Sequence, residues 1–501
     1  MDSSAPRSIS PSGWPRAGIF LLAVCFAGYA FFLARYSASY ASGSDASGYF
    51  NSARLLAEGR FQAPLRVPLG RHHTEFGLMT FQPLGFIIDE HEARMAPTYP
   101  TGLPLHLAAA ARIAGWRHAA TVVNSLAALG TGLVFLALAR RLGLTLGWAA
   151  VGLLLLWLSP QVLFIALQPM SDLLALLWSL TALYAALRSR EDWRWSLLAG
   201  LAAALAVLVR PTNALLVLPL AVALGGNYRR YLGLALGGLP GGAFFLFYNW
   251  RVYGSPLTTG YGDVSTAFRA GYAPHNLAHF ARWIPTLLSP LVLVALAAPW
   301  VPAARRRELA VLGLWAALLI GFYAFYFHSG ESWWYLRFIL PGFPALLLAA
   351  LVAGQSLWAR LPSPLWSRAV LAAALVFAAA WQVRFNRSLE VLAIPTDEAT
   401  YLHAAEWAKA NLPPGAAVCC MQVSGAFYYY TGFLLIRWDQ VREDRWTDLF
   451  AALQQERRPV YAVLYEYERA DAFARLGGQW RRIATVGQAT FWQLEPPPAT
   501  P

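Results

Sequence analysis

Charge is scarce in this chain: Lys, Arg, Asp and Glu make up 13% of its 501 residues, against about a quarter in a soluble globular protein. So few charges cannot cover a water-exposed surface of that size, which excludes a soluble fold for most of the chain. Cysteine is scarcer still. Cys25 lies inside the first apolar run and Cys419 stands beside Cys420, a distribution that builds no disulfide framework. There is no phosphate-cradling Gly-rich loop, no C-x-x-C pair and no Ser-His-Asp order, so covalent nucleophilic catalysis is not indicated. Nor is there an internal repeat of the kind many secondary transporters carry.

What is present is apolar length. Hydrophobic residues reach 57%, and runs long enough to cross about 30 Å of hydrocarbon lie at 17–36, 119–139, 143–159, 172–187, 195–209, 212–225, 231–249, 286–303, 309–327, 338–357 and 369–385. The first of these follows Arg7 and Arg16 but has no small-residue cleavage site, so it reads as an uncleaved span rather than a signal peptide. The net charge of +13 comes from Arg clusters in short turns: Arg140 and Arg141, 188–194, Arg229 and Arg230, 305–307, then Arg360 and Arg368. Alternate connections that are Arg-rich are the signature of cytoplasmic turns, not of nucleic-acid binding. The pattern predicts a polytopic α-helical protein of the bacterial inner (plasma) membrane with about eleven transmembrane helices, its N-terminus cytoplasmic. The opposite face then carries long loops at 37–117 and 251–283 and a tight turn at 159–171 without Lys or Arg. Elaborated loops are where function concentrates.

Beyond Phe385 the composition turns polar. Amphipathic helices are expected at 396–411 and 445–456, and strands at 416–423, 459–466, 482–486 and 489–494. The chain is thus divided into a membrane domain, 1–385, and a C-terminal extracytoplasmic α/β domain, 386–501.

Four charges stand out because the membrane code does not explain them. Asp45, in GSDASGYFNSARLLAEG, and Asp172, in LQPMSDLLALL, sit at the outward ends of apolar runs, where a carboxylate is costly and tends to be functional. Each has a plainer reading, since Ser44–Asp45 and Ser171–Asp172 are well suited to open a helix. Two acids on one face could also hold a divalent cation (Mg, Mn or Zn) or divide proton-transfer and positioning roles. Arg210, in LAVLVRPTNALL, and Arg337, in GESWWYLRFILPGFP, lie away from every cytoplasmic cluster, and a fork-shaped guanidinium suits phosphate. The alternative for both is interfacial snorkelling beside Trp333, Trp334 and Tyr335. Tyr99, Tyr261, His328 and Glu331 stand as further substrate-binding candidates on the same face. The run from Asp89 to Glu92 lacks the ligand spacing of a built metal site.

These stretches, with YPTGLPLHLAAAARIAGW, NSLAALGTGLVFLALARRLG and YNWRVYGSPLTTGYG, occur in an order that resembles the GT-C superfamily of membrane glycosyltransferases. The resemblance covers the chain to about Phe385 and is strongest to bacterial members similar to protein O-mannosyltransferases and lipid A aminoarabinose transferases. It implies a polyprenyl-phosphate-linked sugar as donor, a glycan, lipid or protein acceptor, and inverting transfer on the extracytoplasmic face. Asp45 matches the family's loop acid and Asp172 its second acid, while Arg210 and Arg337 match basic positions near the lipid phosphate. Two departures matter. The first loop reads Pro97-Thr98-Tyr99-Pro100-Thr101 where the aminoarabinose transferases carry a Lys before paired prolines, and the loop acid is followed by Ala46 rather than the Glu typical of protein O-mannosyltransferases. The rival class is a polytopic transporter or lipid flippase, which calls for mid-span charges and inverted repeats.

Overall fold

A computed structural model of the chain describes residues 15–89, 93–300, 306–360 and 364–495; Glu90, His91, Glu92 and Arg305 fall outside them. Helix α1 (Arg16–Tyr36) leads into a loop that contains α2 (Ser44–Ala57) and a small antiparallel sheet of β1 (Ala63–Pro64), β2 (Phe86–Asp89) and β3 (Arg94–Pro97), ordered β1-β3-β2. Helix α3 (Gly102–Ala114) closes that loop. The bundle continues through α4 (Ala119–Arg141), α5 (Leu146–Trp157), α6 (Pro160–Ala166), α7 (Asp172–Arg188), α8 (Trp195–Val209), α9 (Val217–Leu224) and α10 (Tyr228–Tyr253). It ends with α11 (Ala273–Leu288), α12 (Arg306–Ala324), α13 (Phe343–Trp358) and α14 (Pro364–Ser388).

Among the described residues, six helices are long and apolar enough to cross a membrane, or eight if each of two bent pairs counts as one span. Each of the eleven expected runs is largely helical among the described residues, but not every one is a single straight helix of 18 residues or more. The span expected at 143–159 ends where it was read to end, before Pro160: within the turn at 159–171 α6 departs at 60° from α5, because proline supplies no N–H to continue the helix and disfavours helical geometry in the residue before it. The run at 286–303 breaks at Ser289, φ 74°, and continues from Pro290 as a 3-10 stretch turned by 106°. Helix α7, at 17 residues, and the shorter α8 and run Pro211–Leu224 account for the other three.

The bundle is polarised. Helix α7 starts at Asp172 and ends at Arg188, and α8 returns from Trp195 to Val209, just before Arg210. The 17 residues of α7 thus separate Asp172 from the basic turn by about 25 Å. At the basic end, Arg190 Nε donates to the Ala223 carbonyl at 3.0 Å and Arg230 Nη1 to that of Leu224 at 2.6 Å. Arg307 donates to the Val222 carbonyl, so three guanidiniums close the C-terminus of α9, where cations suit the helix dipole. Helices α8 and α10 cross closely because a Cβ on Gly200 or Gly237 would overlap the Leu234 or Leu197 carbonyl, the small-residue contact that membrane helices favour.

The C-terminal domain is a five-stranded sheet ordered β5-β4-β6-β8-β7. Its strands are β4 (Ala417–Cys419), β5 (Leu434–Ile436), β6 (Val460–Tyr465), β7 (Trp480–Val486) and β8 (Ala489–Leu494). The first three run parallel, and β8 is antiparallel to both β6 and β7. Helices α15 (Ile394–Asn411), α16 (Ser424–Tyr430), α17 (Trp446–Gln455) and α18 (Arg469–Leu476) accompany it. The expected strand at 416–423 is shorter, since the chain leaves the sheet after Cys419 to form α16. Phe76, Phe81, Phe86 and Met95 of the first loop share one core with Leu434, Ile436, Trp438 and Leu449. The domain is therefore fused to the loop that carries Asp45. Replacing Gly237 with Leu should cost about 1–3 kcal/mol by overpacking, read as a lower thermal midpoint in detergent. Gly313→Leu, where an added Cβ meets nothing within 4 Å, should leave the midpoint unchanged.

Candidate active site

Asp45 and Asp172 both stand in the first turn of a helix, α2 and α7, where the dipole favours a negative charge. The plain capping reading does not hold at either. The residue before α2 is Gly43, and Ser171 before α7 makes no side-chain cap hydrogen bond. The Ser171 hydroxyl instead accepts from the Tyr49 hydroxyl at 2.9 Å and from Arg210 Nε at 3.4 Å.

Arg210 is placed by the residue after it. Pro211 excludes helical geometry for its predecessor, and Arg210 adopts an extended conformation, φ −146° and ψ 112°, that ends α8. Its Nη2 lies 2.6 Å from Asp172 Oδ1. Arg337 belongs to the 3-10 stretch Trp333–Gly342 that precedes α13, and its Nη1 lies 2.8 Å from Asp45 Oδ2. The Asp172 side chain is 1% exposed, those of Arg337, Arg210 and Asp45 14%, 15% and 26%, so Asp172 is sealed while the other three groups border open space. Both guanidinium carbons stand 5.3 Å from the centroid of the Phe338 ring, a cation–π arrangement that keeps two positive groups adjacent. Each pair also feels the charges of the other.

Tyr99 completes the Asp45 side. Its hydroxyl is 2.7 Å from that of Ser44. Its ring fits because residue 48 is glycine: a Cβ there would come within 2.5 Å of Tyr99. Burial would raise the Asp45 carboxyl, but the Arg337 guanidinium and the Tyr99 hydroxyl outweigh it and hold the group below the usual carboxylate range. Asp45 is therefore ionised throughout the neutral range. The pair's contribution to stability is fully present above the unfolded carboxylate's pKa and is lost as pH falls through the lower folded one.

The structure brings Asp45, Asp172, Arg210, Arg337 and Tyr99 together, with Tyr261 at the margin, 46% exposed and edge-on to Tyr99 at 6.2 Å. His328 and Glu331 are a step removed. They pair with each other at 2.8 Å, and the His328 ring stacks on Tyr335, which leads to Phe338. Tyr49 and Phe338 escaped the sequence reading, and Ser171 entered it only as a helix-opening residue. Among the described residues no three His, Cys, Asp or Glu side chains meet as a metal group. Asp45 and Asp172, the acids expected to hold a divalent cation, each face a guanidinium in this arrangement.

No family model and no curated protein sequence matches the chain. Solved structures do. ArnT from Cupriavidus metallidurans bound to undecaprenyl phosphate superposes with a TM-score of 0.63 at 15% identity, covering 96% of this chain and 98% of that one. The arabinofuranosyltransferase AftD from Mycobacteria gives 0.58 at 14% identity, over 98% of this chain and 40% of its own length. The Archaeoglobus fulgidus oligosaccharyltransferase gives 0.55 at 11%, over 92% and 71%. These are GT-C proteins, and the chain has the GT-C fold.

Removing Arg210 alone leaves a buried carboxylate uncompensated, a loss of about 3–5 kcal/mol. Arg210→Gln should therefore lower the thermal midpoint strongly, and adding Asp172→Asn to the same protein should recover most of it. A double variant no more stable than the single one would show that the pair is not held by charge.

Proposed function

We propose that this chain is a membrane glycosyltransferase that moves a sugar from a polyprenyl-phosphate donor to an extracytoplasmic acceptor with inversion. The observation that carries the reading is the pair of guanidiniums ranged on Phe338, each neutralised in the resting state by its own carboxylate. A phosphate is already a stable anion and needs no strong acid to leave; it needs its charge met as the bond to the sugar breaks. Arg210 and Arg337 supply two planar donor forks at one place. As the phosphate oxygens take up Arg337, Asp45 loses the cation that keeps it acidic and becomes basic enough to receive the proton of the acceptor hydroxyl. That hydroxyl attacks the anomeric carbon from the face opposite the phosphate, which gives inversion. Tyr99 and Tyr261 offer ring surface to the sugar, and His328 and Glu331 line the approach.

ArnT and the archaeal oligosaccharyltransferase AglB have been solved with undecaprenyl phosphate and dolichol-phosphate respectively, lipids that carry the charge this site would meet. Orientation follows from polarity. The arginine turns at the far end of α7 and α9 mark the cytoplasmic side, so the N-terminus lies inside. The site and the domain beyond 385 lie outside. In proteoliposomes supplied with polyprenyl-phosphate sugars, Asp45→Asn and Arg337→Gln should each lower transfer by at least about a hundredfold, as loss of a transition-state charge contact does. Full activity in both variants would overturn the assignment. Sugar-lipid movement across the bilayer without transfer would favour a flippase. In intact spheroplasts an added protease should reach the C-terminal domain; protection of that domain would reverse the orientation.

A further inference from the structure

Helix α14 is fastened to the bundle near one end. Toward its outward end Trp381 Nε1 donates to the Thr286 carbonyl at 3.0 Å, Gln382 Nε2 to that of Leu155 at 2.7 Å and Asn386 Nδ2 to that of Leu158 at 2.8 Å. Toward the basic end the helix stands off. There a cavity of about 350 Å³ lies between α14, α5, α13 and the 3-10 stretch from Pro290, its lining almost wholly apolar, running from Leu155 and Leu347 to Trp148 and Trp358. The exposed side chains of Leu357 and Val370 mark where it opens sideways. An empty cleft of this kind forfeits the packing that its lining atoms would otherwise have. In a bilayer what fills it is a hydrocarbon chain.

Length, side and charge say which chain. From Leu347 to Trp358 α13 rises about 16 Å, the depth of one leaflet in a hydrocarbon core of about 30 Å. The link from Gln382 to Leu155 ends the cleft at its outward end, so a chain enters from the basic end, opposite Arg210 and Arg337. A sugar donor held by those two arginines would start its tail from the other end. At the basic end Trp148 and Trp358 meet edge-on at 6.2 Å, as rings at a membrane boundary do. Beside them Gln355 ties two turns together: its Oε1 accepts from the Thr145 amide at 2.9 Å and its Nε2 donates to the Gly143 carbonyl at 3.0 Å. Arg140 and Arg360 belong to these turns. Both are exposed, and neither forms an ion pair among the described residues.

We propose that this cleft seats an anionic phospholipid from the leaflet at the basic end of the bundle. One acyl chain packs between α14 and α13, and the phosphate lies against Arg140 and Arg360, the arrangement by which basic positions at helix ends hold acidic lipids. The lipid completes the packing of α14 in the half that the polar latch leaves unsupported. That helix leads into the C-terminal domain, so the seat steadies the connection between bundle and domain. It is independent of the donor site, with which it shares no residue.

Native mass spectrometry of the delipidated full-length protein tests this, with dioleoyl phosphatidylglycerol and dioleoyl phosphatidylcholine supplied in equal amounts. The wild type should retain phosphatidylglycerol with a preference of about tenfold, since each guanidinium near the surface adds to the attraction for an acidic lipid. Ala374→Phe, which fills the cleft from α14, should lose that lipid while keeping a thermal midpoint no lower than that of the delipidated wild type. Arg140→Gln combined with Arg360→Gln should bind the two lipids alike, and this surface variant decides the matter even where Ala374→Phe does not fold. Equal retention in the wild type and a folded Ala374→Phe, or an unchanged preference in the double arginine variant, would overturn the proposal. Displacement of the bound phosphatidylglycerol by farnesyl phosphate would assign the cleft to the tail of a polyprenyl donor and overturn it as well.

Discussion

Two guanidiniums held side by side on one aromatic ring are the constraint around which the rest of this molecule is arranged. Like charges do not remain adjacent in a poorly hydrated place unless each is offset, and Asp45 and Asp172 do the offsetting from the first turns of two different helices. Asp172 is sealed, and its cost in lost hydration is met by the short contact with Arg210 and by the Tyr49–Ser171 link beside it. Asp45, its counterpart on Arg337, is more open. That asymmetry suits a division of labour in which one arginine is a fixed part of the framework and the other exchanges its carboxylate for an incoming anion.

The backbone serves the same end. Pro211 turns Arg210 out of its helix, and the 3-10 stretch before α13 presents Arg337 and Phe338 in succession. Gly102 lets α3 seat against the backbone of Leu208 and Val209, where a Cβ would overlap it, which sets Tyr99 and the end of α8 in register with one another. The C-terminal domain holds the remaining element. Asn51 Nδ2 donates to the Gly425 carbonyl at 3.0 Å, Arg54 Nη1 to that of Tyr429 at 2.8 Å, and the Ala41 amide to the Tyr430 hydroxyl at 2.9 Å. Helix α2 is thereby clamped between bundle and domain, and its first-turn acid is positioned by both.

Much of this was legible in the residues. A lone acid at the head of an apolar run, or a lone arginine far from the basic turns, breaks the membrane code, and Asp172, Arg210 and Arg337 announce themselves that way. The polarity of the bundle was legible for the same reason, since the arginine turns recur on alternate connections. The straightness of the spans was not. Hydropathy measures length and apolarity but is blind to the backbone, so the break at Ser289–Pro290, inside the run 286–303, read as continuous. Phe338 and Tyr49 were hidden, and Ser171 was read only as a helix opener, because aromatic and small polar residues are common in any helix and gain meaning only from what they touch.

The central claim is that the paired guanidiniums exist to meet a phosphate. Its most direct test is a cryo-EM structure of the protein with a bound polyprenyl phosphate. The account predicts phosphate density between Arg210 and Arg337, with nitrogen–oxygen distances of about 2.7–2.9 Å and with Arg337 withdrawn from Asp45 while Arg210 stays on Asp172. Phosphate density elsewhere, with both ion pairs unchanged, would contradict it.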